Sequence, residues 1–407
     1  MSPLRSLAYG LPGLPLAFAA LPIYVHVPHF YAESARMDLA LLGAILLGAR
    51  LLDAVIDPWL GWLADRMRRR ILLALALIPL GFGFIALLNP PTEHAAFWLL
   101  GSLALTYLGY SAASVAYQAW GADVGSDSQA RTRLAASREG FGLIGVLLAA
   151  ALPGWLAPSL NEGVARLAWV LPPLLAVSAA VALSLVGDGA PTFATRQALL
   201  PSLRRVWADR AFRRLLGVFM VNGIAAALPA TLFLFFVADV LQEEAASGPL
   251  LALYFAAGAV SLPLWVRWAA RWGRPLAWLG AMGVAVTAFA WASLLGAGDV
   301  WAYAVICAAS GLALGADLVL PAAVAADLGE RQGQAGACFG IWNFVAKLNL
   351  ALAAGLALPV LALLDYQPGS GRGLEALRFG YALLPLAFKA LAAGLLWRWR
   401  NSLEVRL

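Results

Sequence analysis

Charge is scarce in this chain. Acidic and basic residues make up 12% of its 407 residues, while 62% are hydrophobic. Soluble domains carry about 25% charged residues, so the two or three soluble domains that this length would otherwise allow are excluded. Cysteine is nearly absent. Cys307 and Cys338 lie far apart in apolar stretches, which excludes a disulfide or cysteine-metal framework. Histidine is equally sparse. His26, His29 and His94 show no metal-ligand spacing and read as loop residues. Long polar tracts are missing too, the longest being 187–214. The net charge of +6 comes from basic residues at segment ends, where they serve topology, and it excludes nucleic acid as a partner.

Apolar runs of about 20 residues or more recur along the chain, the length needed to cross a bilayer as a helix. They predict an all-α membrane protein with twelve spanning helices near 6–27, 38–64, 71–89, 96–122, 134–157, 167–186, 215–241, 248–268, 275–295, 300–328, 336–364 and 379–398. Segment MSPLRSL leads into an apolar stretch too long and proline-rich for a cleavable signal, so it reads as the start of the first span. With both termini cytoplasmic, twenty arginines fall on the cytoplasmic side, against four (Arg36, Arg166, Arg372, Arg378) on the other. The remaining basic residues, Arg50, Arg138, Lys347 and Lys389, lie within helices. That asymmetry fits the positive-inside rule and would degrade if one helix were miscounted.

Residues 187–214 divide the chain into an N-terminal six-helix bundle, 1–186, a cytoplasmic linker, and a C-terminal six-helix bundle, 215–407. The second half of the linker, 199–214, has the pattern of a basic amphipathic helix on an anionic membrane surface; a plain surface linker fits the same residues. The helix-two exit PWLGWLADRMRRR is echoed by the helix-eight exit LPLWVRWAARWGR. Two six-helix repeats around a central cavity suit a carrier whose halves rock about a midplane site. The sixteen tryptophans sit mostly near segment ends, as an interfacial belt does.

The densest chemistry is in RLLDAVIDPWLGWLADRMRRR, residues 50–70. At 100° per residue, Arg50, Asp53 and Asp57 fall within roughly 60° of one another on a helix. Each charge costs a few kcal/mol or more at bilayer depth, so this stripe must face protein or water. An intramembrane acidic pair beside an arginine is by default an ion- or substrate-handling site. Two further intramembrane charges stand out. Asp317 reads as a second coupling acid or as the ion-pair partner of Lys347. Lys347 shares a stripe with Gly336, Gly340, Asn343, Ala351 and Ala354, where small residues permit close packing and Asn343 and Lys347 would point at a cavity. Lys389 lies nearer the cytoplasmic end of its segment, a position from which it would snorkel.

Gly61-x-x-x-Asp65-Arg66-x-x-Arg69-Arg70 resembles the loop signature of the major facilitator superfamily. Asp53-Ala-x-x-Asp57-Pro58-x-x-Gly61 resembles the glycoside–pentoside–hexuronide cation symporters within it, and so do stretches 131–142, 262–275 and 326–353. The resemblance implies a cation-coupled carrier of a small solute in the inner (cytoplasmic) membrane, monomeric, with H+ or Na+ as coupling ion and no cofactor. It implies cation binding and coupling at Asp53 and Asp57, with Lys347 linking cation and solute sites, Arg138 near the solute, and Arg50 as the basic residue before the acidic pair. Gly61, Asp65, Arg66, Arg69 and Arg70 would act as a conformational latch. Asp123 and Asp327, at helix ends, could form matching latches with arginines of neighbouring loops.

The chain also departs from that family. Helix one has no acid, and mid-helix four offers Ser111, Ser114, Tyr117 and Gln118 where the sugar permeases carry one. Ser111, Tyr117, Gln118 and Asn343 are therefore the candidate substrate contacts beside the arginines. Ile56 replaces an amide before the second aspartate, which favours a proton or a looser sodium site. A carrier of lysolipids or other amphiphiles is the second reading. A membrane prenyltransferase, which also uses closely spaced aspartates, is a distant third, set against a single aspartate cluster and a carrier-type loop.

Overall fold

The structure, a computed structural model, describes residues 2–27, 30–31, 37, 39–91, 94–158, 160–188, 198–367 and 371–404. His29, Arg36, Arg196 and Arg406, used in the loop and topology readings, lie outside them, as does the side chain of Ala354. The long helices are α1 Pro3–Leu21, α2 Leu39–Ala64, α3 Arg69–Leu87, α4 Ala95–Val124, α5 Ser128–Leu156, α6 Glu162–Leu185, α7 Arg210–Val240, α8 Glu244–Trp272, α9 Arg274–Leu294, α10 Val300–Arg331, α11 Ala335–Leu363 and α12 Leu374–Leu403. Eleven of them are long and apolar enough to cross a membrane. The twelfth, α2, has 26 residues. At about 1.5 Å per residue it exceeds a hydrocarbon core of about 30 Å, and it is the helix that carries Arg50, Asp53 and Asp57. This is the all-α membrane fold expected from the sequence.

Local chemistry explains the deviations from regular helices. Helix α1 is broken into Pro3–Gly10 and Gly13–Leu21, with a wide turn at Pro22–His26. Prolines at 12, 15 and 22 each remove a backbone donor, so one unbroken helix cannot persist. Asp127 caps α5 by accepting from the Ala130 N–H at 2.7 Å, and Asp209 caps α7 by accepting from the Ala211 N–H at 2.7 Å. The second cap also settles the linker. The surface helix covers only Leu199–Ala208, because the chain restarts as α7 at Arg210. The expected amphipathic stretch 199–214 is thus two elements. Helix α12 is five residues longer at each end than the 379–398 read from hydropathy, so Lys389, central in either span, stands still farther from both ends.

The chain forms two compact units: Met1–Val206 with Ala325–Phe344, and Trp207–Val324 with Val345–Leu407. In the first, glycines let backbones touch. A Cβ at Gly83 would lie 2.6 Å from Thr106 Oγ1, and one at Gly13 would lie 2.5 Å from the Arg138 carbonyl oxygen. Tyr9 donates to the Tyr117 carbonyl at 2.9 Å, and the Tyr117 hydroxyl donates to the Tyr9 carbonyl, tying α1 to α4. In the second, an aromatic core forms around Phe236, stacked on Tyr381 with centroids 4.1 Å apart and tilted against Tyr303.

Candidate functional site

Burial comes first in reading the α2 acids. Asp57 is fully buried and Asp53 is 4% exposed. They lie one helical turn apart, so both carboxylates face the same side of α2. Ser111 of α4 donates its hydroxyl to Asp53 Oδ1 at 2.6 Å, which brings one of the predicted solute contacts onto the acidic pair. Arg50 and Asp53 are both within electrostatic reach of Tyr107, and Asp53 and Asp57 both within reach of Tyr110. The stripe read from the sequence is therefore a polar patch between α2 and α4. Two carboxylates one turn apart on a membrane helix are costly at bilayer depth, so the patch is a candidate site for a proton or metal cation.

Next to this patch, α2 meets the first turns of α11, which belong to the same unit. A Cβ at Gly336 would collide with the Gly61 carbonyl oxygen, and one at Gly340 would lie 2.5 Å from the Asp57 carbonyl oxygen. The Gly336-x-x-x-Gly340 face thus lies backbone to backbone on Gly61. Asp65 completes the contact. Its Oδ1 accepts from the Gly336 N–H at 2.7 Å and its Oδ2 from the Ala337 N–H at 2.8 Å, two of the amide donors that a helix N-terminus leaves open. Burial raises the Asp65 pKa, against the opposing pull of Arg69 and the Ala337 and Gly336 amides. Arg69 donates to Asp65 at 3.0 Å and to the Ala119 carbonyl at 2.7 Å, and pairs with Asp123 at 2.9 Å.

Asp327 forms a second junction. It is fully buried and accepts from Arg131 at 3.0 Å and from the Ser128 hydroxyl at 2.8 Å. Arg131 also reaches the Ala122 carbonyl at 3.0 Å and Glu330 at 3.3 Å. The sequence pointed to Asp123 and Asp327 but not to Arg131, Ser128 or Glu330. Arg66 and Arg70 are placed differently from Arg69. Arg66 is exposed over the Trp62 ring at 4.0 Å, while Arg70 pairs with Asp188 at 2.8 Å and donates to the Leu183 carbonyl.

In the second unit, Asp317 of α10 is held by three helices. Asn222 of α7 donates to Oδ1 at 3.1 Å, Trp278 of α9 donates to Oδ1 at 2.7 Å, and Lys389 of α12 donates to Oδ2 at 2.5 Å. Asp317 thus pairs with Lys389, and Lys389 is buried rather than snorkelled. At mid-helix it stands about 20 Å from either end of α12, too far for its ammonium to reach the interface. Lys347 is half-buried on α11, and Asn343, one turn earlier and counted with the first unit, is half-buried too.

The remaining candidates lie in the first unit. Arg138 is held by its neighbour Glu139, at 2.6 Å from Nη2, and lies within reach of Tyr9. Gln118 is half-buried, with its Oε1 accepting no hydrogen bond. The Tyr117 hydroxyl is already used on the Tyr9 carbonyl. Tyr117→Phe should therefore lower stability by about 1 kcal/mol, the net value of one intramolecular hydrogen bond, and leave solute affinity unchanged. A thermal melt alongside a binding titration checks this; weakened binding at unchanged stability would return Tyr117 to the solute site.

Comparison with known proteins identifies the architecture. A family model described as MFS/sugar transport protein, MFS being the major facilitator superfamily, matches residues 7–401. The chain belongs to that family. Its fold is shared with a bacterial homologue of the iron transporter ferroportin in an outward-facing state, at TM-score 0.72 and 15% identity over 98% of this chain and all of that one. An E. coli fucose:proton symporter matches at TM-score 0.72 and 12% identity over 97% of each chain. The human organic anion transporter MFSD10 matches at TM-score 0.64 and 17% identity over 99% of this chain and all of that one. The protein is thus a multi-pass secondary transporter of the major facilitator type and not an enzyme, which removes the prenyltransferase reading.

Proposed function

We propose that the protein couples the movement of a small organic solute to that of a cation, H+ or Na+, in the same direction, by alternating access. The observation that carries this is the pair of buried carboxylates, Asp53 and Asp57, on a membrane helix, with the Ser111 hydroxyl against Asp53. Carboxylates are costly at bilayer depth. A bound cation offsets part of that cost, so its arrival can bias the equilibrium between inward- and outward-open states. The relatedness of the fold to a fucose:proton symporter supports the coupling. Ile56 in place of an amide removes an oxygen ligand and favours the proton. Arg50 provides counter-charge, and Lys347 keeps the linking role that the family resemblance gives it. Arg138, Gln118 and Asn343 are the groups left to hold the solute.

On this reading the six-plus-six division at 187–214 is the functional repeat, both termini are cytoplasmic, and the protein works as a monomer in the inner (cytoplasmic) membrane. The contacts of Asp65 and Arg131 with residues 325–344 are latches that part during the cycle. The second reading, a carrier of amphiphiles such as lysolipids, is favoured by one observation. Helix α1 and the middle of α4 have no acid with which to grip sugar hydroxyls.

Purified protein in nanodiscs supplies the test. Its melting point should depend on the coupling cation, because a ligand at 100 times its Kd stabilises by about 2.7 kcal/mol. Sodium titrations at pH 5.5 and 7.5 should show that dependence in the native protein. In Asp57→Asn it should be lost and the fold kept, and the same variant should carry solute downhill but not accumulate it. A panel of glycosides, uronates, small acids and lysolipids run the same way separates the two solute readings. Uphill transport undiminished in Asp57→Asn would sink the proposal.

A further inference from the structure

The Asp317 cluster in the second unit is built to serve an acid in both of its protonation states. As a carboxylate, Asp317 is fully answered by the Asn222 amide, the Trp278 indole and the Lys389 ammonium. Neutralised by a proton, it would need an acceptor for its new O–H. One is present. Asn222 is 4% exposed, and its Oδ1, on the amide whose Nδ2 already touches Asp317, accepts no hydrogen bond among the described residues. Turning that amide by half a revolution brings Oδ1 to the acid and leaves its shape unchanged. A static structural ion pair has no use for this buried acceptor, which costs energy while it waits.

We infer that Asp317 is a second proton-binding site of the transport cycle, and that Lys389 is the counter-charge that holds it empty. This rests on the symporter reading for its place in the cycle but not for its chemistry. A hydronium-borne proton from the aqueous phase adds to Oδ1, the oxygen that faces Asn222. The O–H donates to Asn222 Oδ1 once the amide has turned, and the Lys389 ammonium on Oδ2 loses the charge that held it. No electron moves. Among the described residues, the groups seen facing Asp317 include Lys389 from α12, Tyr254 from α8, and the non-titrating Asn222 and Trp278 from α7 and α9. Lys389 is the cation in direct contact with it.

Losing Asp317 alone would strand the Lys389 ammonium in the bilayer, so the test uses Asp317→Asn/Lys389→Met, a neutral pair of similar volume. Infrared titration of the protein in nanodiscs reads the carboxylic-acid C=O stretch directly and needs no solute. The native protein should show a band that the double variant lacks and that Asp57→Asn keeps. Lys389→Met and Trp278→Phe, each removing one donor to the carboxylate, should move the midpoint of that band to higher pH. A spectrum unchanged in the double variant, or a midpoint unmoved in both single variants, would overturn the inference. If the double variant does not fold, the single variants decide alone. Transport then separates the two proposals. Uphill uptake with unaltered pH dependence in the double variant removes Asp317 from the cycle and leaves the Asp53–Asp57 coupling standing. A titrating Asp317 in a protein that couples no cation to solute movement leaves the site and removes the symporter reading.

Discussion

Gly336→Val should make Cys338 react with a membrane-impermeant maleimide at least about tenfold faster than in the native protein. Cys338 is fully buried on the first turns of α11, beside Gly329. Gly336 lies against the Gly61 carbonyl, and a Cβ there would also stand 2.8 Å from Asp65 Oδ1 and 3.0 Å from Ala64 Cβ. The obstacles include backbone and a short, doubly bonded carboxylate, so the strain cannot be absorbed by one flexible side chain. Overpacking of this kind costs about 1–3 kcal/mol, and about 1.4 kcal/mol is a factor of ten in an opening equilibrium. The two hydrogen bonds that the Gly336 and Ala337 N–H groups donate to Asp65 break with the contact, which takes that carboxylate from the α11 N-terminus. Labelling in a Cys307→Ser background isolates the reporter. Gly336→Ala should show the same effect more weakly, and an unaltered labelling rate in Gly336→Val would mean that the glycine face does not hold α11 in place.

Much of this contact was legible in the sequence because a membrane makes polar residues conspicuous. Asp53, Asp57, Asp65 and Arg69 stand out against an apolar background, and a 100° rotation per residue places the first two on one face without any structure. Gly336 and Gly340 signalled close packing by their four-residue spacing, although not against which helix. What stayed hidden is partnership across the chain. Asp327 was a marked residue, but no spacing rule joins it to Arg131, 196 positions earlier. Lys389 misled for a different reason. It is central in the 379–398 segment as it is in α12, so the snorkelling reading overrated its closeness to an end; its charge is met inside the protein by Asp317. A lysine more than about ten residues from both helix ends, beyond snorkelling reach, was the signal available. Tyr117 shows the converse. Its polar tip suggested a solute contact, and only the structure shows the hydroxyl on the Tyr9 carbonyl.

Arg131→Gln and Arg70→Gln should differ sharply, although each removes one arginine from one ion pair in the same unit. The Arg131–Asp327 pair is 3.0 Å long, with side chains 5% and 0% exposed. The Arg70–Asp188 pair is shorter, at 2.8 Å, but its side chains are 27% and 58% exposed. Distance alone would rank Arg70 first; solvent reverses the order. Water already answers the Asp188 carboxylate, so losing Arg70 should cost no more than about 1 kcal/mol. Asp327 has no such recourse. Without Arg131 its buried charge loses its ion-pair partner, and breaking a buried pair from one side costs about 3–5 kcal/mol. Arg131→Gln should therefore lower the melting point severalfold more than Arg70→Gln. The double variant Arg131→Gln/Asp327→Asn should recover most of the loss, because it removes the stranded charge as well as its partner. Recovery of stability without recovery of transport would show that the junction between Arg131 and Asp327 is needed by the moving protein and not only by the folded one. Equal melting points for the two single variants would mean that the burial of Asp327 is relieved by water in the membrane-embedded state.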